Sequence, residues 1–331
     1  MKKILTLFFC LLYIAASRAQ DTFSITAVDP VTMQVGSAGA SCVSGSIILS
    51  DVHPGVGVIH TQASYLSSNQ NYARSLMNLG LSPQQIVDSV VLHDAQNNPT
   101  IRQYGVVDLV GGGRRAGYTG VNCQNWKGHI LGPTYTIQGN ILLGPQILDS
   151  MQWRFLNTPG TLADKLMAAL QGAKVIGADT RCVSRNTSSI SAFLRVARPT
   201  DPVNNLWLDL NVNNTLSGHD PIDSLQILYN MWLTGILPVS NEVPDKPFLY
   251  QNFPNPFNPA TLIKFSVSSE QNVRLAIYDV LGKEIAVLTD SDLKPGTYQS
   301  RWDGSQYPSG IYYYKLEAGP FTDSKKMVLV K

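Results

Sequence analysis

Charge is scarce in this chain. Only 15% of its 331 residues are Asp, Glu, Lys or Arg, and 25 basic residues nearly balance 23 acidic ones. No basic stripe is left to meet a phosphate backbone, which argues against a nucleic-acid partner. Histidine is rarer still. His53, His60, His93, His129 and His219 fall in no ligand spacing such as H-E-x-x-H. The four cysteines form no C-x-x-C pair, so no metal site and no cofactor are expected. The G-x-S-x-G elbow of many serine hydrolases is missing. Gly111-Gly112-Gly113 lacks the helix that follows a phosphate loop, which makes it a hairpin turn between strands. Long apolar runs are limited to one, at the N-terminus.

That run, Ile4 to Ala16, follows the positive Met1-Lys2-Lys3 and precedes Ser17-Arg18-Ala19. A positive start, a short apolar stretch and small residues at −3 and −1 read as a signal peptide over 1–19, cleaved after Ala19. The run is too short for a comfortable membrane span, and nothing later supplies one. Cleavage takes away Lys2, Lys3 and Arg18, so 22 basic residues then face 23 acidic ones and the net charge becomes about −1. Cys42, Cys123 and Cys182 remain, and an oxidising destination allows them one disulfide. Cys123 lies in a segment that reads as loop, which leaves Cys42 with Cys182.

The body of the chain, 20–236, reads as strands, two helices, strands, two helices and a strand. Phe23 to Val28 alternates with period two and turns at Asp29-Pro30 into Met33 to Ala40; Gly57 to Gln62 is a third strand. Tyr72, Leu76 and Leu79 then share a helical face that Gly80 ends. Ser82-Pro83-Gln84-Gln85 starts a second helix with a capping box and a proline in the first turn. Gln103 to Leu109 and Arg115 to Thr119 are strands, and apolar stripes at Ile147/Leu148/Met151/Phe155 and Leu162/Leu166/Leu170 are two more helices. Ser189 to Val196 is the last strand. Such an order suits sheets covered by helices on their outer faces, an α+β domain. An extension helix follows over 220–235, capped by Asp220, and 237–247 reads as a linker.

The last part of the chain, 248–331, opens on Gln251-Asn252-Phe253-Pro254-Asn255-Pro256-Phe257-Asn258-Pro259, whose three prolines exclude helix and central strand. Short alternating runs divided by Leu281-Gly282-Lys283, Pro295-Gly296 and Pro308-Ser309-Gly310 follow, as in a small β-sandwich. This segment resembles the C-terminal sorting domain of type IX secretion substrates, an Ig-like module related to the flagellar hook-cap fold. The resemblance implies the type IX secretion machinery as a partner and a secreted or cell-surface location.

A second resemblance rests on Asp21 to Ile25, Thr61-Gln62-Ala63, Arg102 to Asp108, Tyr118-Thr119-Gly120, Gln138 to Leu142 and Gly177 to Arg181. Over roughly 22–200 these look like the domain of unknown function 1028 family, which belongs by fold with the N-terminal-nucleophile (Ntn) amidohydrolases and their αββα sandwich. The resemblance implies Thr22 as nucleophile with its own α-amine as base, a group whose pKa near 8 suits a hydroxyl proton at neutral pH. Relatives without a signal peptide carry Thr directly after the initiator Met. Here Gln20-Asp21 stands ahead of Thr22, so the mechanism needs a second trimming step. The bland reading of Thr22 is an ordinary β-branched strand residue.

Other polar residues carry paired readings. Asn140 either stabilises an oxyanion or caps a helix. Thr61 and Gln62 are contacts for a substrate amide or polar groups at a strand edge, and Gln138 belongs to the same set. Arg102 either grips a substrate carboxylate or pairs with Asp94 or Asp108. Asp179 binds substrate or forms a structural pair with Arg181. Two functions follow: a secreted hydrolase of small amides, peptides or cell-wall material, or a non-catalytic protein that binds a peptide or glycan on the same fold.

Overall fold

The structure is a computed structural model that describes residues 22–240 and 243–331; the expected signal peptide lies outside the described residues. The chain divides into two compact units between Leu225 and Gln226.

In the first unit β1 (Thr22–Asp29) and β2 (Gln34–Ser41) form the expected hairpin. The 3-10 turn Ser46–Leu49 leads to β3 (Ser50–His53), then β4 (Gly57–Ala63). Helices α1 (Ser67–Asn78) and α2 (Pro83–Leu92) follow, then β5 (Arg102–Asp108) and β6 (Arg114–Thr119), joined through Gly111-Gly112-Gly113 at positive φ. Next come β7 (Gly128–Leu131), β8 (Tyr135–Gly139), α3 (Gln146–Asn157), α4 (Leu162–Gly172), β9 (Ser191–Ala197) and β10 (Leu208–Val212). Ser82 and Gln85 close the capping box at the start of α2. α1 stops one residue early, at Asn78, and Leu79, expected on its buried face, is 75% exposed.

Two antiparallel sheets result, β3-β4-β5-β6 and β10-β9-β2-β1-β8-β7. Period-two alternation gives every strand one face toward a helix pair and one toward the other sheet. On the first sheet Ile59, Tyr104, Val106 and Ala116 bury the apolar stripes of α1 and α2. On the second, α4 packs over β1, β2 and β9, while α3 packs beside β8, where Tyr135 and Phe155 bring their rings within 4.9 Å. The unit is thus four layers, helix–sheet–sheet–helix. At one end the space between the sheets is apolar, filled by Val28, Val35, Val52, Val58, Val107, Leu109 and Ala197 with Leu206. The other end is not.

Helix α5 (Pro221–Thr234), its start fixed by Asp220 Oδ1 accepting from the Ile222 N–H, carries the chain across the division. The second unit holds β11 (Ile236–Ser240), β12 (Phe248–Leu249), β13 (Ala260–Val267), β14 (Gln271–Tyr278), β15 (Glu284–Leu293), β16 (Gly296–Asp303), β17 (Gly310–Ala318) and β18 (Phe321–Leu329). They pair as β11-β16-β13-β12 and β15-β14-β17-β18. The expected linker over 237–247 therefore begins as an edge strand of this unit, and Ile236 belongs to its core. Pro238 misleads the eye, because proline is tolerated on an edge strand beside a bulge, and the register shifts between Pro238 and Ser240. The interior is aromatic and aliphatic, with Phe257, Phe265, Trp302 and Tyr314 at its centre. The Asn/Pro-rich entry is tied down by Asn252, which donates from its backbone to Tyr314 Oη (2.8 Å) and from its amide to Thr261 Oγ1 (2.9 Å).

Candidate active site

β1 starts at the centre of its sheet, between β2 and β8. Thr22, Ser24 and Thr26 alternate onto the face that looks at the other sheet, while Phe23, Ile25 and Ala27 face the helices. Opposite them, β4 offers His60 and Gln62, and β5 offers Gln103; β8 adds Thr136 and Gln138 from the side. All of these side chains are buried. They form a continuous hydrogen-bonded network that leaves His60 Nε2 and, beside it, Asn140 Oδ1 buried without a partner among the described residues.

Thr22 O accepts from the Asn140 N–H (3.2 Å) and from Gln62 Nε2 (3.2 Å). Gln62 Nε2 also donates to Gln103 Oε1 (2.7 Å), which receives Asn140 Nδ2 (3.0 Å). Ser24 Oγ donates to Gln62 Oε1 (2.5 Å) and sits 2.9 Å from His60 Nδ1 and 2.8 Å from Gln138 Nε2. Thr136 Oγ1 donates to Gln138 Oε1 (2.8 Å). Gly105 makes room for that amide: a Cβ there would collide with Gln138 Oε1 and Thr136 Oγ1. Burial, with the positive Arg195 nearby, pushes the His60 imidazole down to about 3, so it is neutral at any ordinary pH. The described residues hold no cluster fit for a metal ion.

Two backbone outliers stand beside this network. Ala63, next after Gln62, has φ 65°, and Ile141, next after Asn140, has φ 55°. Left-handed backbone is disfavoured for side chains with a Cβ and most of all for β-branched ones, at roughly 1–2 kcal/mol each. Such strain concentrates where function requires a set geometry.

The structure brings some expected site residues together and separates others. Thr22, Gln62, Gln138 and Asn140 meet. Thr61 does not join them, because it follows Ile59 onto the helix side of β4, and its hydroxyl is buried there without a partner among the described residues. Arg102 also lies on the helix side of its strand. It is 1% exposed, and its guanidinium donates to Asp94 Oδ2 (2.8 Å), Gln96 Oε1 (2.6 Å) and the Ser64 carbonyl. Burial raises the Asp94 carboxyl, but Arg102 and the N–H groups of Gln96 and Asn98 outweigh it and hold the pKa well below the usual range. Arg102 is a brace, not a free grip for a carboxylate.

Asn140 is no helix cap: β8 ends at Gly139, and α3 begins at Gln146. Asp179 is wholly buried, accepts from the Cys42 N–H (2.9 Å) and takes Arg181 through both oxygens (2.9 and 2.6 Å). The Cys42–Cys182 disulfide, Cα–Cα 5.7 Å, ties this segment to the end of β2, where Ser41 is the register partner of Thr22. Buried Cys123 stands outside the bridge, its Sγ 3.3 Å from Arg102 O. Ser24, His60 and Gln103 were missed as site residues. The signal for the first two is parity, a polar side chain on alternate positions of Thr22–Thr26 and His60–Gln62; Gln103 shares its face with Gly105 and Val107 and has no such signal.

Cavities of about 280 and 360 Å³ lie elsewhere. The smaller, between Asp29, Pro30, Tyr135, Phe155 and Lys165, is at the far end of β1, and the larger is lined by Met33, Val56, Asp108 and Arg114. Neither touches Thr22, and the polar network is closed as it stands.

Residues 22–225 match a family described as a family of unknown function (DUF1028), and residues 251–331 match a secretion system C-terminal sorting domain. No curated protein is significantly similar. Among solved structures, the chain is similar to the crystal structure of a protein of the same family from Silicibacter pomeroyi, with a TM-score of 0.53 and 24% identity over 63% of this chain and 88% of that one. At that identity the likeness bears on the fold alone.

Proposed function

Since the chain belongs to the DUF1028 family and carries a type IX sorting domain that directs it to the cell surface or beyond, we propose that it is a secreted hydrolase of amide bonds of the Ntn type. Its nucleophile is Thr22 Oγ1, and its substrate a small amide or peptide. The observation that carries this reading is the position of Thr22: first residue of the central β1, on the inter-sheet face, its carbonyl fixed by two donors and its neighbours ending in strained backbone at Ala63 and Ile141. Fixing a nucleophile before the substrate arrives removes orientational freedom from the reaction step.

Once Gln20-Asp21 is removed, the Thr22 nitrogen changes from a peptide amide into an amine, and an amine can take the hydroxyl proton. Oγ1 then adds to the scissile carbonyl, and the proton passes on to the departing nitrogen as the C–N bond breaks. A water adds to the resulting Thr22 ester, gives its proton to the same amine, and returns Oγ1 as the acid leaves. His60 does not serve as the base, because burial keeps its nitrogen too weakly basic.

The test is the N-terminus and intact mass of the exported protein, followed by an amide screen. A chain that begins at Thr22, turnover in the wild type and after Thr22→Ser, and no turnover after Thr22→Ala are expected. A terminus that stays upstream, or turnover undiminished by Thr22→Ala, overturns the proposal and leaves a binding protein on this fold.

A further inference from the structure

We propose that Gln103 is a positioning residue of this site, an amide locked by the main chain that in turn sets Gln62 and Asn140 beside Thr22. The proposal rests on Thr22 as the nucleophile. Gln103 Nε2 lies 3.0 Å from Gly128 O and 3.0 Å from Gly139 O, and 2.9 Å from Thr119 Oγ1. Main-chain carbonyls only accept, so the nitrogen must face them and Oε1 must face the other way. There it meets Gln62 Nε2 (2.7 Å) and Asn140 Nδ2 (3.0 Å). Turning the Gln103 amide over would set oxygen against two carbonyls and nitrogen against two NH2 groups, breaking four hydrogen bonds in a buried space.

The orientation then propagates. Gln62 must present its nitrogen to Gln103, and the same nitrogen meets Thr22 O, another group that only accepts. Gln62 Oε1 is thereby turned to Ser24, which donates its single hydroxyl proton there. Ser24 Oγ has no further proton and accepts from Gln138 Nε2, whose second proton faces His60 Nδ1 at 3.2 Å. Asn140 is set in the same way. Its backbone N–H is held by Thr22 O and its Nδ2 is turned to Gln103, which leaves Oδ1, wholly buried and without a partner among the described residues. The unsatisfied polar atom of Asn140 is therefore an acceptor, not the donor that an oxyanion needs. It suits an N–H group of the ligand.

Three side-chain amides in contact thus act as one rigid piece with a single allowed arrangement, anchored in the backbone of β7 and β8. The predicted consequence of cutting the anchor is loss of rate per folded molecule, beyond any loss of stability.

The test uses full-length protein with Thr22 as its first residue, and p-nitrophenyl acetate as an acylating probe read by peptide mass. In the wild type the acetyl group is expected on Thr22. In Gln103→Leu the limiting acylation rate, corrected for the folded fraction, is expected to fall at least about 10-fold, in line with the cost of misplacing a reacting group by a fraction of an ångström. Gln103→Glu, which keeps the length and the Oε1 acceptor, makes the same comparison should the leucine variant not fold. An unchanged limiting rate overturns the positioning role.

The lock is read separately, from exchange of the Gln62 and Asn140 side-chain amide protons by NMR. Slow exchange in the wild type and fast exchange in the variant are expected; equal exchange overturns the lock whatever Thr22 does. A wild type that takes no label on Thr22 overturns the nucleophile, and the positioning role with it, while the exchange result still decides the lock.

Discussion

The two units of this chain each pack one β-sheet face to face against another, yet they fill the space between in opposite ways. In the second unit that space is hydrocarbon and aromatic ring, with Phe257, Tyr307 and Tyr312 around Trp302 at centroid distances of 5.2 to 5.7 Å. Deep in it, Tyr314 Oη serves the backbone by donating to Tyr250 O (2.9 Å), and burial pushes its pKa up to about 12. In the first unit one end of the space is given to amides, hydroxyls and an imidazole. Polar groups need matched partners merely to break even when buried, whereas apolar groups gain from burial outright. A sandwich built for stability alone looks like the second unit. The first has accepted a costlier interior, concentrated around Thr22 and its neighbours.

The sharpest way to break this contrast is to remove the aromatic centre of the second unit. Trp302 is 3% exposed, and Trp302→Ala is expected to destabilise that unit by about 3–5 kcal/mol, as large truncations in packed cores do. Calorimetry or urea denaturation followed by hydrogen exchange should show loss of protection in β13, β16 and β17 with the first unit unchanged. Equal loss in both units would mean they do not fold as separate bodies.

Acid is expected to act the other way round. All five histidines lie before residue 226, and His60 is held neutral with a pKa of about 3 against 6.5 unfolded. The unfolded first unit takes up a proton below pH 6.5 that the folded one refuses. Its stability is therefore full above that value and falls by about 1.4 kcal/mol per pH unit as pH drops from about 6.5 toward 3. Urea midpoints between pH 7 and 4.5 measure this, and His60→Asn should remove that part of the slope. The second unit has no histidine to contribute such a loss.

The smallest effect is expected inside the network itself. Thr26 Oγ1 and Thr136 Oγ1 are 2.8 Å apart, well away from Thr22 along β1. Thr26→Val exchanges a hydroxyl for a methyl of similar shape and is expected to cost about 1 kcal/mol or less, measured by urea denaturation. A loss several times larger would show that the polar interior is a source of stability after all.

Much of the fold was legible because its local signals agreed with the final packing. The Ser82–Gln85 capping box, the triple-glycine hairpin and the apolar stripes of α3 and α4 needed no tertiary context. Strand β8 is short, and its period-two signal, Tyr135 and Ile137 alternating with Thr136 and Gln138, spans only four residues ahead of Gly139. The site was legible by residue type but not by side. Thr61 and Gln62 are adjacent in sequence and face opposite layers, as do Arg102 and Gln103. Choosing between them requires the register that sets Gln62 opposite Gln103, a pairing across forty residues that no local pattern contains.

The disulfide between Cys42 and Cys182 spans 140 positions and closes beside the strand end that holds Thr22. Reducing cytoplasm does not sustain such a bond. A copy retained where it was made would share every residue of the exported protein and still lack this fastening. Passage into an oxidising compartment is therefore written into its covalent structure.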